Sequence, residues 1–276
     1  MGSAKNKRFL LHELTWPEAE DAIKRACIVI VPIGSIEQQG LHLPLGADSE
    51  VVYHIAIKLA EKALEKGLDV VVTPPLYYGY SQEHMDYPGT ISLRAETLIS
   101  VLYDICASLI QHGAKRILIL NGHGGNKGLL DVVSRNIGRD FGVFVFHTTP
   151  FFSNVTRHLT SSEGGVAHAG ELMTSCMLAI RPELVKMDKA IAQYPKKFIK
   201  SKFLKIDTRI PSIISFGWFH VREIFTDTGT VGDPTFASQS IGKTIIEEVV
   251  HTLLQFLEEL NTMDLYKKEV SQKSGY

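Results

Sequence analysis

The sequence is short of cysteine, of long apolar runs and of any excess of charge. Its three cysteines, Cys27, Cys106 and Cys176, stand at wide, unrelated spacings in apolar surroundings. That excludes a disulfide framework and a CxxC metal or redox pair, and reads as three reduced core thiols. No apolar stretch approaches the roughly 20 residues of a membrane span. The opening MGSAKNKRFLLHELTW carries no apolar segment of signal-peptide length, so a cytoplasmic protein without a membrane partner is expected. A formal net charge of -1 over 276 residues leaves no electrostatic footprint for nucleic acid. The densest basic stretch, YPKKFIKSKFLK at 194–205, reads as a solvated flap whose lysines lie over apolar neighbours rather than as an anion-binding strip. Internal repeats, low-complexity segments and linkers are also missing, which predicts one domain over 1–276.

What is present is an alternation of helical and strand periods. WPEAEDAIKRA predicts a helix with Pro17 near its first turn, and CIVIVPIG a strand. Helices over 49–66, 96–112 and 126–138 then alternate with the strands LDVVVTPPL, KRILILNG and VFVFHTT. The strands are short, β-branched and apolar on both faces, as expected when helices cover both sides of a mainly parallel sheet. The rhythm weakens after about residue 150. A helix from His168 to Ile180, an irregular stretch to about 233 and an amphipathic helix from Thr235 to Leu260 complete the prediction.

Ligands of open parallel sheets sit beyond the carboxyl ends of the strands, and there the polar residues gather. GSIEQQGLHLPLGAD (34–48) follows the first strand, YYGYSQEHMDYPGTISL (77–93) the second and NGHGGN (121–126) the third, while AHAGELMTS (167–175) opens a later helix. Glu37, Asp48 and His123 are ligand types that zinc, manganese or iron accepts, with His42, His168 and Glu171 near candidates for the rest of the shell. A carboxylate such as Asp48 can bridge two ions, an arrangement that activates water and polarises a carbonyl. The backbone of Gly124 and Gly125 can approach a ligand and offer N–H groups to an oxyanion. Tyr80, Ser81 and His84 suggest a substrate wall. Each has a plain structural reading: Glu37 a cap or surface carboxylate, NGHGG a tight turn with Asn126 as N-cap, the second loop an Ω-type loop. Their coincidence at three strand ends favours function. His54, His112, His158 and His251 stand outside the clusters and receive no role.

With ELTWPE before them and TGTVGDPTFAS after them, these motifs occur in an order that resembles the creatininase (creatinine amidohydrolase) family over most of the chain. The resemblance implies a three-layer α/β/α sandwich with a mainly parallel central sheet, a centre of one or two divalent metals, zinc first with manganese or iron as alternatives, and a homo-oligomer, often a hexamer. It implies metal ligation by Glu37, Asp48 and His123, with Asp48 bridging, and proton transfer by His168. Three departures stand out. Gln39 replaces the metal-binding His of the family's EQHG, and an amide oxygen is a weaker zinc ligand than imidazole. Gly125 stands where the creatinine-hydrolysing member has a Glu, so Glu171 is expected to supply that carboxylate. Met173 further replaces the Glu of the family's ETS.

The expected function is a metal-dependent hydrolase attacking a carbonyl of a small cyclic amide other than creatinine. One alternative is a carbon–carbon hydrolase of a cyclic diketone such as a dehydro-inosose. Another is a non-catalytic binding protein on an enzyme-like fold.

Overall fold

A computed structural model describes residues 8–151, 153–161, 167–194, 203, 217–224 and 226–263; of the 194–205 basic stretch only Tyr194 and Phe203 fall among them, and its expected flap lies outside the described residues. The helices α1 (Trp16–Arg25), α2 (Ala47–Glu65), α3 (Ala95–Gln111) and α4 (Lys127–Phe141) alternate with the strands β1 (Ile28–Ile33), β2 (Val70–Val72), β3 (Arg116–Asn121) and β4 (Phe144–Thr148). After them come the short α5 (Ser153–Thr156), α6 (Glu171–Ile180), the short α7 (Val221–Ile224) and the long α8 (Gln239–Thr262).

The four strands form one parallel sheet in the order β2-β1-β3-β4. Side-chain alternation splits the core cleanly. Ile28, Ile30, Val70, Val72, Leu118 and Leu120 pack against α2, α6 and α8. Val29, Val31, Val71, Ile117 and Ile119 pack against α1, α3 and α4. Because both faces are covered, β1 is buried along its whole length, and its apolar run is what a strand between two helical layers requires. The result is the expected three-layer α/β/α sandwich.

Several boundaries differ from the periodic reading, each for a local reason. Helix α2 begins at Ala47 rather than 49, which places Asp48 in its first turn. Strand β2 is three residues long, cut short ahead of Pro74 and Pro75. His168 is not helical: its N–H donates to Val231 O at 3.1 Å and its carbonyl accepts from Val231 N–H at 2.9 Å, so α6 starts only at Glu171. Ser238 caps α8 by accepting from the Ile241 N–H at 3.2 Å, after a single 3-10 turn at Pro234–Phe236.

From β1 the chain passes to β2 on one side and then to β3 on the other. The carboxyl ends of the adjacent β1 and β3 are therefore the point where the winding reverses, which is where open α/β sheets bind ligands.

Candidate metal centre

The loop after β1 and the loop after β3 leave the sheet side by side, with the Gly122 N–H donating to Ile33 O at 2.7 Å. Asn126 ties three loops together. Its Nδ2 donates to Gly34 O and to Asn121 Oδ1, each at 3.0 Å, and its Oδ1 accepts from the Tyr80 N–H at 2.9 Å. The side chain therefore makes no N-cap bond to α4, because it is spent on joining the loops after β1, β2 and β3.

Glu37, Asp48 and His123 converge inside this frame, all buried. His123 Nδ1 lies 3.1 Å from Glu37 Oε2 and 3.4 Å from Asp48 Oδ2. Its other nitrogen faces the Tyr80 carbonyl at 2.9 Å. A carbonyl only accepts, so in neutral His123 the proton sits on Nε2 and the Nδ1 lone pair points at the two carboxylates. This outer-shell hydrogen bond is the kind that orients a metal-binding imidazole. Ser35 Oγ donates to Asp48 Oδ2 at 2.8 Å.

Two carboxylates and an imidazole share one buried space, and each shifts the protonation of the others. Burial works against ionised Glu37, but the nearby His123, His84 and His168 hold its carboxyl below the ordinary range. Burial and then the charge of Glu37 push Asp48 up. For His123 burial opposes charge, yet Glu37 and Asp48 outweigh it and raise the imidazole well above its ordinary value. Two buried oxygens, Glu37 Oε2 and Gln39 Oε1, have no hydrogen-bond partner. Orphaned buried acceptors are costly, and Glu37 Oε2 with the Asp48 carboxylate and the His123 lone pair makes a donor set that fits a divalent ion.

The other sequence candidates fall into place unevenly. Gln39 turns its Nε2 to Asp48 Oδ1 at 2.9 Å and to Glu37 Oε1 at 3.4 Å, so here it donates to the carboxylates. His168 lines the same cavity, and its Nδ1 lies 3.8 Å from Glu37 Oε1. Gly124 lines it too. Gly125 does not face it: a Cβ there would lie 2.3 Å from Tyr80 O and 2.5 Å from His123 Nε2, so glycine is needed for close approach behind the imidazole.

Glu171 stands apart. Its carboxylate accepts from the Thr160 and Ser161 N–H groups and from Thr160 Oγ1 at 2.7–3.0 Å, so it braces that turn and does not supply the carboxylate expected at Gly125. His42 is likewise spent elsewhere, on Thr174 Oγ1 at 2.8 Å. The expected substrate wall lies behind Glu37 and His123. Tyr80 packs on the α1/α3/α4 core, Ser81 Oγ sits 3.3 Å from His123 Nε2, and His84 is buried and stacked on His168 with ring centroids 4.4 Å apart.

Glu83 escaped the sequence reading, although it directly precedes His84. Its Oε1 lies 3.6 Å from His123 Nε2, and a Cβ on Gly125 would come within 3.0 Å of that oxygen. Burial raises its carboxyl. Gln38 escaped as well, a buried amide between two histidines.

The cavity over the cluster has a volume of about 300 Å³ and is walled by Lys127, Thr149, Phe151, Leu172 and Met173. A larger apolar groove of about 1080 Å³, lined by Trp16, Ile23, Pro75, Ile105 and Leu109, gathers no comparable set of buried ligands. Chemistry rather than size selects the smaller space.

Comparison with known proteins agrees with this geometry. The creatinine amidohydrolase family profile matches residues 12–257. The creatinine amidohydrolase of Pseudomonas putida is 28% identical over 275 residues, covering 92% of this chain and 98% of the relative. The mycofactocin precursor peptide peptidase of Mycolicibacterium smegmatis is 33% identical over 228 residues, 81% of each chain. The 3-dehydro-scyllo-inosose hydrolase of Thermotoga maritima is 27% identical over 260 residues, 90% of this chain and 80% of the relative. Among solved structures, a proposed creatinine amidohydrolase of Bacteroides fragilis superposes with a TM-score of 0.79 at 27% identity, covering 95% of this chain and all of that one. A mutant creatininase of Zn–Zn type and a manganese creatininase each superpose at 0.73 with 26% identity, over 92% of this chain and 99% of theirs.

Proposed function

Because the chain belongs to the creatininase family, whose named relatives are hydrolases, we propose that it is a metal-dependent amidohydrolase acting on a small cyclic amide other than creatinine. The observation that carries the reading is the buried triad in which Glu37 Oε2 and Asp48 Oδ2 both face His123 Nδ1. A divalent ion, such as the zinc or manganese of the related structures, would supply Lewis acidity that acidifies water and polarises a carbonyl. Glu37, Asp48 and His123 would hold it. Tyr80, through its carbonyl, keeps His123 turned the right way. His168, at the cavity wall, moves a proton between water and the leaving nitrogen. The Gly124 N–H is the backbone donor available to a developing oxyanion.

One ion per chain is the number this arrangement favours. The Gln39 amide donates to Asp48 Oδ1 and leans toward Glu37 Oε1, the oxygens a second ion would need. Met173 gives the cavity an apolar wall where the family pattern has a Glu, which argues against creatinine. Reduced thiols at Cys27, Cys106 and Cys176 support a cytoplasmic setting, and no helix among the described residues is long and apolar enough to cross a membrane. Exposed Trp16, Leu41, Tyr78, Met85 and Ile91 supply the apolar surface of a homo-oligomer.

The test is turnover by the zinc- or manganese-loaded protein on a panel of cyclic amides and cyclic diketones. Hydrolysis of an amide that is lost in Asp48→Asn supports the reading. Turnover confined to diketones would move the protein to carbon–carbon hydrolysis, and no turnover on any member would sink the amidohydrolase.

A further inference from the structure

Beside the triad lies a second trio whose ligand atoms are as close as those of a metal site: Glu37, His84 and His168. Glu37 Oε1 is 3.7 Å from His84 Nε2 and 3.8 Å from His168 Nδ1. Distance alone would make this a second cation site. Hydrogen-bond direction decides otherwise, and it is set by Gln38.

The Gln38 side chain is buried between four partners. Its Oε1 faces the Gly40 N–H at 3.0 Å, and its Nε2 faces the Gly229 carbonyl at 3.1 Å. A backbone N–H can only donate and a carbonyl can only accept, so the amide cannot be flipped. Gly229 also clamps it, since any Cβ at that residue would overlap the Gln38 amide. Two histidine nitrogens lie within reach of the second Nε2 hydrogen, His84 Nδ1 at 2.8 Å and His168 Nε2 at 3.0 Å; His168 Nε2 is itself a donor, as its backbone partner shows, so the hydrogen goes to His84 Nδ1, which is the unprotonated nitrogen. His168 Nε2 lies 2.8 Å from the Gln38 backbone carbonyl and must donate to it.

We infer that Gln38 is a positioning residue that sets both tautomers, with neutral His84 and neutral His168 each carrying the proton on Nε2. His84 then turns its Nε2–H to the side of Glu37 Oε1, 3.7 Å away, and has no lone pair there for a cation. His168 turns an unprotonated Nδ1 to the reaction space, ready to accept a proton. The trio is thus a proton-handling and orienting group, and the hydrolase keeps a single ion. The role of His168 rests on the function proposed above; the tautomers do not.

The experiment is long-range ¹H–¹⁵N correlation NMR of histidine-labelled, zinc-loaded protein, with His84 and His168 assigned by their loss in His84→Gln and His168→Gln. Both rings are expected in the Nε2–H form. In Gln38→Glu, where the carboxylate can only accept, His84 should acquire a proton on Nδ1. Gln38→Leu should lower kcat roughly 10- to 100-fold, the usual range for outer-shell losses, with KM little changed and with the Gln39 and Asp48 contacts intact. A wild-type His84 protonated on Nδ1, or a His84 pattern unchanged in Gln38→Glu, would overturn the inference. Should Gln38→Glu not fold, the wild-type spectrum decides alone. Absence of turnover on every substrate would remove the hydrolase reading and leave the tautomers standing, whereas the wrong tautomer with turnover intact would remove only this one.

Discussion

Glu37 divides its two oxygens between two tasks. Oε2 faces His123 in the triad, and Oε1 faces the amide of Gln39 and the two stacked histidines. The sequence made Glu37, Asp48 and His123 legible because their types and their strand-end positions both pointed to a metal. It could not show which oxygen met which partner, and so it singled out Gln39 and passed over Gln38. The structure separates them: the Gln38 amide lies between His84 and His168, and the Gln39 amide donates to Asp48. Glu171 misled for a related reason. A carboxylate at the start of a helix beside His168 reads as a ligand, but two nearby N–H groups of the 160–161 turn claim it first.

His42 yields a prediction at the same scale. Burial, then the charge of His168, lowers its imidazole to about 4, while the unfolded chain binds that proton near pH 6.5. Between those values the unfolded state binds more protons, so stability falls as pH falls through this window and is fully present above it. Each unit of depression is worth about 1.4 kcal/mol. Denaturant unfolding of wild type and His42→Gln across about pH 7 to about pH 4 should show a shallower loss in the variant. Parallel pH curves would assign the loss to other groups.

Among the elements, strand and helix order was readable from periodicity, because strands covered on both faces stay apolar throughout and amphipathic helices do not. Helix starts were less readable. Nothing in HAGELMTS signals that His168 pairs with Val231, a contact 63 residues away in sequence that holds its imidazole outside the helix and against the cavity. Adjacent glycines in NGHGGN were also indistinguishable, yet they differ sharply in space. A Cβ at Gly124 meets nothing within 4 Å, whereas one at Gly125 would collide with Tyr80 O and His123. Gly124→Ala should leave thermal stability and metal content close to wild type. Gly125→Ala should cost about 1–3 kcal/mol of stability by overpacking and weaken metal retention by turning His123. Calorimetry with metal analysis checks both, and equal effects from the two variants would contradict the packing described.

At the scale of the whole molecule, the centre sits where the winding of the sheet reverses, so ligands arrive from loops that are distant in sequence but adjacent between β1 and β3. The ordered motifs made that convergence legible, and strand order alone explains why it falls there. A bound ion that joins these loops stabilises the native state by mass action, by about 2.7 kcal/mol at a hundredfold excess over Kd. Exhaustive chelation should therefore lower Tm by several degrees, and added zinc or manganese should restore it. A Tm indifferent to both would separate the cluster from metal binding.

The central claim is a single cation held by Glu37, Asp48 and His123, with Gln39 closing the neighbouring position. Elemental analysis of metal per chain, on wild type, Glu37→Gln and Gln39→His, tests it most directly. One ion per wild-type chain is expected, with loss of that ion in Glu37→Gln and a rise toward two in Gln39→His. Two ions in the wild type, or one ion retained in Glu37→Gln, would contradict it.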